Sequence, residues 1–237
     1  MNDVNASGLK TVGTEPYVGE TPQIALGSWL TPNPLFYVRS QFDYPDLDES
    51  SWMLQAASSG GQEITFSLND IRQLPKHTLP VTLECAGNNR VDLNPKAPGN
   101  QFENGAVSNA VWSGTSLNSV LSKMNLNEDV VEILFEGADI GSPAADKGPE
   151  PYLRSLPLDL ARHQDTLLAY EMNGETLPLE HGYPVRLIVP GWYGMAHVKW
   201  LTKITALNKP FSGYFQGEKY VLKYEDGTEK PVQEMQV

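Results

Sequence analysis

The sequence LPVTLECAGNNR, residues 79–90, combines a predicted strand with a turn of unusual composition. Residues 79–84 form the strand, and Cys85 follows it into a turn of small residues that ends at Arg90. Small residues let another group approach the backbone closely, and an arginine beside a thiol lowers the thiol pKa or holds an anion there. A lone cysteine at a strand end is also a common buried packing residue. The residues by themselves leave both interpretations open.

The composition limits what this cysteine can do. The chain has 237 residues, 40% of them hydrophobic, as in an ordinary globular protein, and Cys85 is its single cysteine. One cysteine excludes an internal disulfide and any zinc or iron–sulfur site built from several cysteines. Cys85 is therefore a buried small residue, a nucleophile or a solitary ligand of a soft metal.

The charge of the chain limits its partners. Lys and Arg number 17 against 29 Asp and Glu, a formal net charge of −12, which disfavours nucleic acid and anionic membranes as partners. No apolar run is long enough to cross a bilayer, and residues 1–27 lack the features of a secretion signal. We expect a cytoplasmic location, or a periplasmic one if a signal peptide has been removed.

The pattern of apolar residues and turns predicts many strands and short helices. Residues 1–30 are polar and rich in glycine and proline, so we expect an extended N-terminal arm. Ser67 and Asp70 are expected to cap a helix, and Asn173-Gly174 to form a hairpin turn. Strands are predicted at residues 35–39, 52–56, 64–66, 79–84, 130–135, 167–172, 175–177, 185–189 and 198–207, and helices at 67–71, 117–124 and 158–162. Strands and helices do not alternate regularly, which favours a mixed α+β domain over a doubly wound sheet.

A second group of polar residues lies between residues 181 and 200. His181, Arg186, His197 and Lys199 are interleaved there with aromatic residues and glycines. Arginine and lysine suit a phosphate, and backbone amides at glycines suit the edge of a flat heterocycle. The same pattern is typical of a basic, aromatic sheet edge with a core histidine, and both interpretations stay open on the residues alone.

Spacing argues against several common enzyme classes. The four histidines include no pair three or four residues apart on one helix face, which disfavours a zinc hydrolase. Neither G-x-S-x-G nor G-x-G-x-x-G occurs, which disfavours the common serine hydrolases and dinucleotide-binding enzymes.

The order of several motifs resembles the sulfite oxidase family. The motif Cys-Ala-Gly-Asn-x-Arg after a strand is similar to the cysteine loop of that family. The matching blocks, in chain order, are residues 35–39, 85–90, 105–114, 135–139, 168–174, 181–186 and 197–200. The resemblance covers roughly residues 30 to 220 and implies a strand-rich molybdopterin-binding fold.

The resemblance assigns a role to each matching residue. It implies that Cys85 is the single protein ligand of molybdenum in a molybdopterin cofactor, since soft thiolate sulfur suits this metal. It implies that Arg39 and Arg90 receive the oxyanion and that Tyr220 donates a hydrogen bond to the reacting oxygen. The residues implied to bind the cofactor are Phe36, Tyr37, Asp139, His181, Arg186, His197 and Lys199.

The resemblance implies an oxidoreductase that converts sulfite to sulfate by oxygen-atom transfer at the molybdenum. Neither a Cys-x-x-Cys-His nor a His-Pro-Gly-Gly stretch occurs, so no haem is expected in this chain and the electron acceptor would be external, a cytochrome or dioxygen. Two alternatives remain: a molybdenum-dependent reductase of sulfoxide-like substrates on the same fold, and a non-catalytic binding module without the cofactor.

Three features depart from the family pattern. Ala196 stands where animal and plant sulfite oxidases usually have arginine, so one positive charge fewer is expected near the pocket. Ser40-Gln41 stands where Asn-His is common, so some pterin contacts are expected to differ. Residues 31–222 form the expected catalytic domain, and residues 223–237 resemble the lead-in to a dimerisation domain that this chain lacks. A monomer or weak dimer is therefore expected.

Overall fold

A computed structural model describes residues 8–58 and 60–235. Its strands are β1 (Lys10–Thr14), β2 (Tyr17–Glu20), β3 (Met53–Ala57), β4 (Glu63–Ser67), β5 (Lys76–Glu84), β6 (Val107–Ser116), β7 (Glu132–Gly141), β8 (Glu150–Pro157), β9 (Leu167–Met172), β10 (Glu175–Thr176), β11 (Arg186–Ile188), β12 (Leu201–Leu207), β13 (Val221–Lys223) and β14 (Glu229–Pro231). Its helices are α1 (Leu68–Arg72), α2 (Leu117–Leu121) and α3 (Leu158–Ala161). The predicted strand-rich α+β class is confirmed.

Short turns of other helical types join these elements. Turns of 3-10 helix span Gln23–Gly27, Asn33–Leu35, Arg90–Asp92, Leu179–His181 and Gly194–Ala196, and a π-helical turn spans Tyr214–Glu218. Within the described residues, none of the helices has the length and apolar character needed to cross a membrane.

One antiparallel sheet carries both Cys85 and Arg186. β5 pairs with β6 along its whole length, β6 pairs with β9, and β9 pairs in turn with β10 and β11. Cys85 directly follows β5, and its amide donates to the carbonyl of Ala106 at 2.9 Å. Arg186 is the first residue of β11 and lies opposite Ala169 of β9. The ladder of backbone hydrogen bonds thus sets the relative position of the thiol and the guanidinium.

A second sheet supplies Asp139 and Lys199. Its strand order is β4-β3-β12-β7-β8, in which β3 and β12 are parallel and the other pairs antiparallel. The pairing of β7 with β8 shifts register between Glu136 and Ile140, and Asp139 lies in this irregular stretch. The amide of Ala138 donates to the carbonyl of Trp200, which brings Asp139 beside the start of β12.

The two sheets share one apolar core. Leu54 of β3, Phe135 of β7 and Ile204 of β12 belong to the same buried cluster as Leu168 of β9 and Leu187 of β11. All five side chains are fully buried. Burying a side chain of this size stabilises the fold by about 1.5–3 kcal/mol. This contact between sheets brings the ends of β5, β11 and β12 together.

Local signals in the sequence account for the turns that were predicted. Ser67 caps α1, because its hydroxyl accepts from the amide of Asp70 while its own amide donates to the Asp70 carboxylate. Asn173 and Gly174 adopt positive φ angles of 53° and 81° between β9 and β10, as a tight hairpin requires. Both predictions are confirmed.

The expectation of an extended arm over residues 1–30 is wrong for the part that the structure describes. Strands β1 and β2 form a hairpin, and Val18 packs with Phe102 in a small buried cluster. Gly19 pairs with Val38 through two backbone hydrogen bonds. These strands were missed because they are short and lack a regular apolar alternation. Residues 1–7 of the predicted arm lie outside the described residues.

Other differences come from tertiary pairing. The predicted strand at residues 35–39 is wrong: a 3-10 turn occupies Asn33–Leu35, and only Val38 forms a bridge. Strands β6 and β8 were not predicted, although β6 lies at the centre of its sheet. Many small and polar residues in β6 weaken the apolar pattern on which the prediction depends.

The last described residues turn back onto the domain. β13 and β14 pair as a hairpin that straddles the expected boundary at residues 222 and 223. The amide of Val232 donates to the carbonyl of Tyr220, and Glu234 forms a bridge with Trp192. This hairpin therefore helps to hold the segment that carries Tyr220. The division at residue 222 stays a prediction.

Gly114 tests the importance of the sheet that carries Cys85. A Cβ atom at Gly114 of β6 would overlap the backbone of Leu168 in β9, so we expect Gly114→Ala to lower the free energy of unfolding by about 3 kcal/mol. Exposed Gly27 has open space around its Cβ position, and Gly27→Ala is the matched control, expected within about 0.5 kcal/mol of the parent. Urea denaturation measures both, and equal stability of the two variants would contradict the packing argument.

Candidate active site

A cavity opens where the ends of β5, β11 and β12 meet. All the site residues predicted from the sequence except Arg90 lie in its wall. These residues are Phe36, Tyr37, Arg39, Cys85, Asp139, His181, Arg186, His197, Lys199 and Tyr220. The structure therefore brings together side chains from both sheets and from the segment after residue 214. The roles assigned to these residues stay predictions.

Cys85 lies in the cavity wall directly after β5. Its Sγ accepts a hydrogen bond from the amide of Gly87 at 3.4 Å. Burial raises the pKa of the thiol, while the Gly87 amide and the charges of Arg39 and Arg90 act in the opposite direction. The side chain is therefore a protonated thiol at neutral pH until a metal or another partner displaces the proton.

Arg186 places a buried positive charge in the wall. Its Nη1 and Nη2 donate to the carbonyls of His181 at 2.7 Å and His197 at 3.2 Å, and its guanidinium carbon lies 4.9 Å from the Trp112 ring centre. Burial lowers the pKa of Arg186 to about 10, so the side chain is a cation at neutral pH. Its Nε is buried and has no partner among the described residues.

The two histidines of the wall are neutral. Burial, followed by nearby cations, lowers the pKa of His181 and of His197 to about 3. The Nε2 atom of His197 donates to the carbonyl of Trp192 at 3.0 Å, and its Nδ1 accepts from the amide of Val189 at 3.1 Å. Nε2 of His181 donates to the carbonyl of Asn33 at 3.2 Å. Both imidazoles are thus oriented by backbone groups.

The second sheet places two ionisable side chains in the cavity wall, Lys199 and Asp139. The Lys199 ammonium donates to the hydroxyl of Ser40 at 2.6 Å and to the carbonyl of Glu180 at 2.8 Å. Burial and then the Arg186 charge lower the pKa of Lys199. Burial raises the pKa of Asp139 to about 6, although Lys199 opposes that shift. This wall offers both hydrogen-bond donors and an acceptor to a flat polar ligand.

Arg39, Gln41 and Tyr220 form a hydrogen-bonded group at another part of the wall. Nη2 of Arg39 donates to Oε1 of Gln41 at 3.0 Å, and Nε2 of Gln41 donates to the hydroxyl oxygen of Tyr220. Burial raises the pKa of Tyr220, so the phenol keeps its proton. Because Gln41 is the donor in this bond, the phenolic hydrogen is free to point at a ligand.

Arg90 departs from the expected arrangement. Its Nη1 donates to the carbonyl of Pro98 at 2.6 Å, and its guanidinium lies over Gly87. The charge still acts on the Cys85 thiol, but the side chain is not part of the cavity wall. The contact between Arg90 and Pro98 could not be predicted from the sequence, because it depends on how residues 97–101 fold back toward Arg90.

Some wall residues were missed in the sequence. Tyr152 of β8 donates its hydroxyl hydrogen to the carbonyl of Met195 at 2.8 Å, and both residues line the cavity. No sequence signal pointed to Tyr152, since β8 itself was not predicted. Ala196, noted for the missing arginine, is 1% exposed and packs in the main apolar cluster rather than in the cavity wall.

Comparison with known proteins identifies the family of the chain. The model of the oxidoreductase molybdopterin binding domain matches residues 41–215, most of the chain. The chain belongs to this family. The resemblance to sulfite oxidases seen in the sequence is thereby confirmed. The matched range contains most of the wall residues, while Phe36, Tyr37, Arg39, Ser40 and Tyr220 lie just outside it.

The chain is similar to several named enzymes. The mitochondrial sulfite oxidase of Rattus norvegicus is 37% identical over 220 residues, which cover 90% of this chain and 39% of the rat protein. The nitrate reductase [NADH] 1 of Phaseolus vulgaris is 32% identical over 220 residues, which cover 89% of this chain and 25% of the bean protein. The chain thus spans less than half the length of these two relatives.

A solved structure shows the same fold. The sulfane dehydrogenase SoxCD from Paracoccus pantotrophus matches with a TM-score of 0.79 and 27% sequence identity, over 92% of this chain and 54% of that chain. The molybdopterin-binding domain described here is therefore a fold shared by proteins named for different substrates.

The buried histidines predict how stability depends on pH. An unfolded histidine has a pKa near 6.5 and the folded His197 one of about 3, so below pH 6.5 the unfolded chain binds more protons and stability falls. From pH 7 to pH 5, His197 should contribute a loss of about 2 kcal/mol. His197→Gln should remove that part of the loss in urea denaturation, and the exposed His163→Gln should not. An unchanged pH dependence in His197→Gln would contradict a buried neutral imidazole.

Proposed function

We propose that the chain is a molybdenum-dependent oxidoreductase that oxidises sulfite to sulfate. The proposal depends on one observation: two groups of residues line the same cavity. The first group is Cys85, Arg39 and Tyr220, and the second is Arg186 and Lys199. A soft ligand, an anion-binding arginine and a phenol donor lie where a redox metal and an oxyanion would meet. The buried cations lie where the anionic end of an organic cofactor would be held.

The residues fit a molybdopterin group. Arg186 lies in the wall as a cation without an ion pair among the described residues, so it would hold the phosphate end together with His181. Lys199 and Asp139 would meet the polar edges of the pterin, and Cys85 would supply thiolate sulfur to the metal. The wall combines apolar side chains with a few polar and charged groups, as is usual for ligand sites. When bound, the cofactor would supply two-electron oxidation and oxygen-atom transfer.

The chain's own residues would bind and orient the substrate. Arg39 would hold an oxygen of the sulfite anion through its planar guanidinium. Tyr220 would donate its free hydrogen to an oxygen of the bound oxyanion, because Gln41 occupies the other side of the hydroxyl. Cys85 would lose its proton on binding the metal, and its raised pKa makes that loss depend on pH. The electrons would leave to an external acceptor, a cytochrome or dioxygen.

A second candidate is a molybdenum-dependent reductase of an oxo compound such as a sulfoxide. Ala196 favours it through the family pattern alone, because sulfite oxidases usually have arginine at this position, although Ala196 itself packs outside the cavity wall. The identity of 32% to a nitrate reductase shows that the fold also occurs in a reductase. The unpaired cations of the wall favour sulfite. They also argue against a binding module without a cofactor, since a scaffold with no ligand gains nothing from buried unpaired charge.

Cys85→Ser tests the metal ligand. A hydroxyl is a poor ligand for a soft metal, so we expect the variant to lose most of its molybdenum and to fall at least about 1,000-fold in sulfite turnover. Elemental analysis and steady-state kinetics measure the two effects. Thr82→Ser, on the exposed face of the same strand, should keep both. Full activity in Cys85→Ser would refute the assignment of the ligand.

Arg39→Gln tests the substrate. Losing a charge-assisted hydrogen bond of about 1.5–3 kcal/mol should lower kcat/KM for sulfite by about 10- to 150-fold. Arg72→Gln removes an exposed arginine paired with Glu49 and should leave sulfite kinetics unchanged.

Assays of the parent with sulfite and with methionine sulfoxide separate the two candidate functions. Turnover of the sulfoxide without oxidation of sulfite would establish the reductase instead.

A further inference from the structure

Lys219 lies beside the group of Arg39, Gln41 and Tyr220 and has no role in the function proposed above. Its ammonium donates to Oε1 of Gln41 at 3.0 Å, and Nη2 of Arg39 donates to the same oxygen, also at 3.0 Å. We propose that Lys219 is a second oxyanion-binding residue, which holds the anionic substrate together with Arg39. The inference rests on the proposed function only in naming an oxyanion as the ligand.

The acceptor shared by the two cations is neutral. An amide oxygen has two lone pairs and can accept both hydrogen bonds, but it offsets neither charge. Within the described ranges, no carboxylate forms an ion pair with Arg39 or with Lys219. Two cations held close by a neutral group repel each other. A bound anion would relieve the repulsion and complete the hydrogen bonds of both.

The nearby acidic residue is paired elsewhere. Glu218 precedes Lys219 in the chain, but its carboxylate pairs with Lys147 at 2.8 Å. The chain as a whole carries a net charge of −12, so unpaired cations at one site are not a consequence of excess basic residues. The charge of Arg39, after desolvation, lowers the pKa of Lys219, which agrees with the short separation of the two groups.

The fold holds Lys219 in this position. Its ammonium lies 5.2 Å from the ring centre of Phe215, which is buried, and 6.0 Å from that of Tyr214. The amide of Lys219 donates to the carbonyl of Tyr214 at 2.9 Å, at the end of the π-helical turn. Aromatic faces favour a cation, so the side chain is directed toward Gln41 before any ligand binds.

The proposed pair of Arg39 and Lys219 differs from the pair of arginines, Arg39 and Arg90, that the sequence predicted to bind the oxyanion. Arg90, the second arginine expected to receive the oxyanion, binds the carbonyl of Pro98 and lies outside the cavity wall. Lys219 is exposed and is not itself a wall residue, but its ammonium donates to Gln41, which lines the cavity and also accepts from Arg39. Lysine acts as a point charge with three donors, whereas Arg39 offers a planar fork. The pair would suit an oxyanion with several oxygens, such as sulfite or sulfate.

Three variants test the proposal in the full-length, cofactor-loaded protein. Lys219→Ala should raise KM for sulfite about tenfold and leave kcat within about twofold, because one charge-assisted hydrogen bond to the anion is lost. Lys219→Arg should restore KM to within about threefold of the parent. Lys223→Ala is the matched control, an exposed lysine of β13 paired with Glu229, and should change neither parameter.

Binding of inorganic sulfate, measured by calorimetry, gives a readout that does not need turnover. We expect Lys219→Ala to weaken sulfate binding about tenfold. Equal sulfate affinity and equal KM in Lys219→Ala and the parent would overturn the proposal, and so would a fall in kcat without a change in KM or sulfate affinity, because Lys219 would then act only through Tyr220.

The sulfate and sulfite measurements also separate this proposal from the proposed function. Sulfate binding that depends on Lys219 in a protein that does not oxidise sulfite would support the two-cation site and refute sulfite oxidation. Sulfite oxidation with no effect of Lys219→Ala on KM or on sulfate binding would leave the proposed function standing and remove Lys219 from it.

Discussion

The hydrogen-bond ladder that runs from β5 through β6 and β9 to β11 is the constraint on which the cavity depends. It holds Cys85 just beyond the end of one strand and Arg186 at the start of another. Backbone pairing is cooperative along a strand, so neither residue can move without breaking several bonds. The proposed redox site would need such rigidity, because a shift of about 1 Å between reacting groups strongly lowers the rate.

Desolvated positive charge is the second property of the site. Arg186 is buried between two carbonyls and an indole, without an ion pair among the described residues. Such a charge destabilises the ligand-free chain, and a bound anion would offset that cost. Arg39 and Lys219 also lack an ion pair among the described residues, but Arg39 is only half-buried and Lys219 is exposed, and both donate to Gln41. We therefore expect ligands to stabilise the fold as well as to react in it.

The fold class and most elements were predictable from local patterns. Capping at Ser67 and the turn at Asn173 depend on residues within a few positions, and their side chains determine the backbone there. The hairpin of β1 and β2 and the strand β8 were not predicted, although each strand pairs with its neighbour in sequence, because β1 and β2 are short and none of the three has a regular apolar alternation. Requirements that a distant strand imposes were also not predictable. Gly114 illustrates this: its need for a small residue arises from a strand more than fifty positions away.

The sequence alone determined the family and predicted the candidate site residues, since Cys85 and its turn, and the segment from His181 to Lys199, are recognisable by type and spacing. Only the tertiary structure decided which charges meet. It turned Arg90 onto a neighbouring loop and brought Lys219 to the amide that also binds Arg39. The physical reason is that a long charged side chain binds whichever partner lies nearest to it in the folded chain, and the sequence does not give distances between residues that are far apart along it.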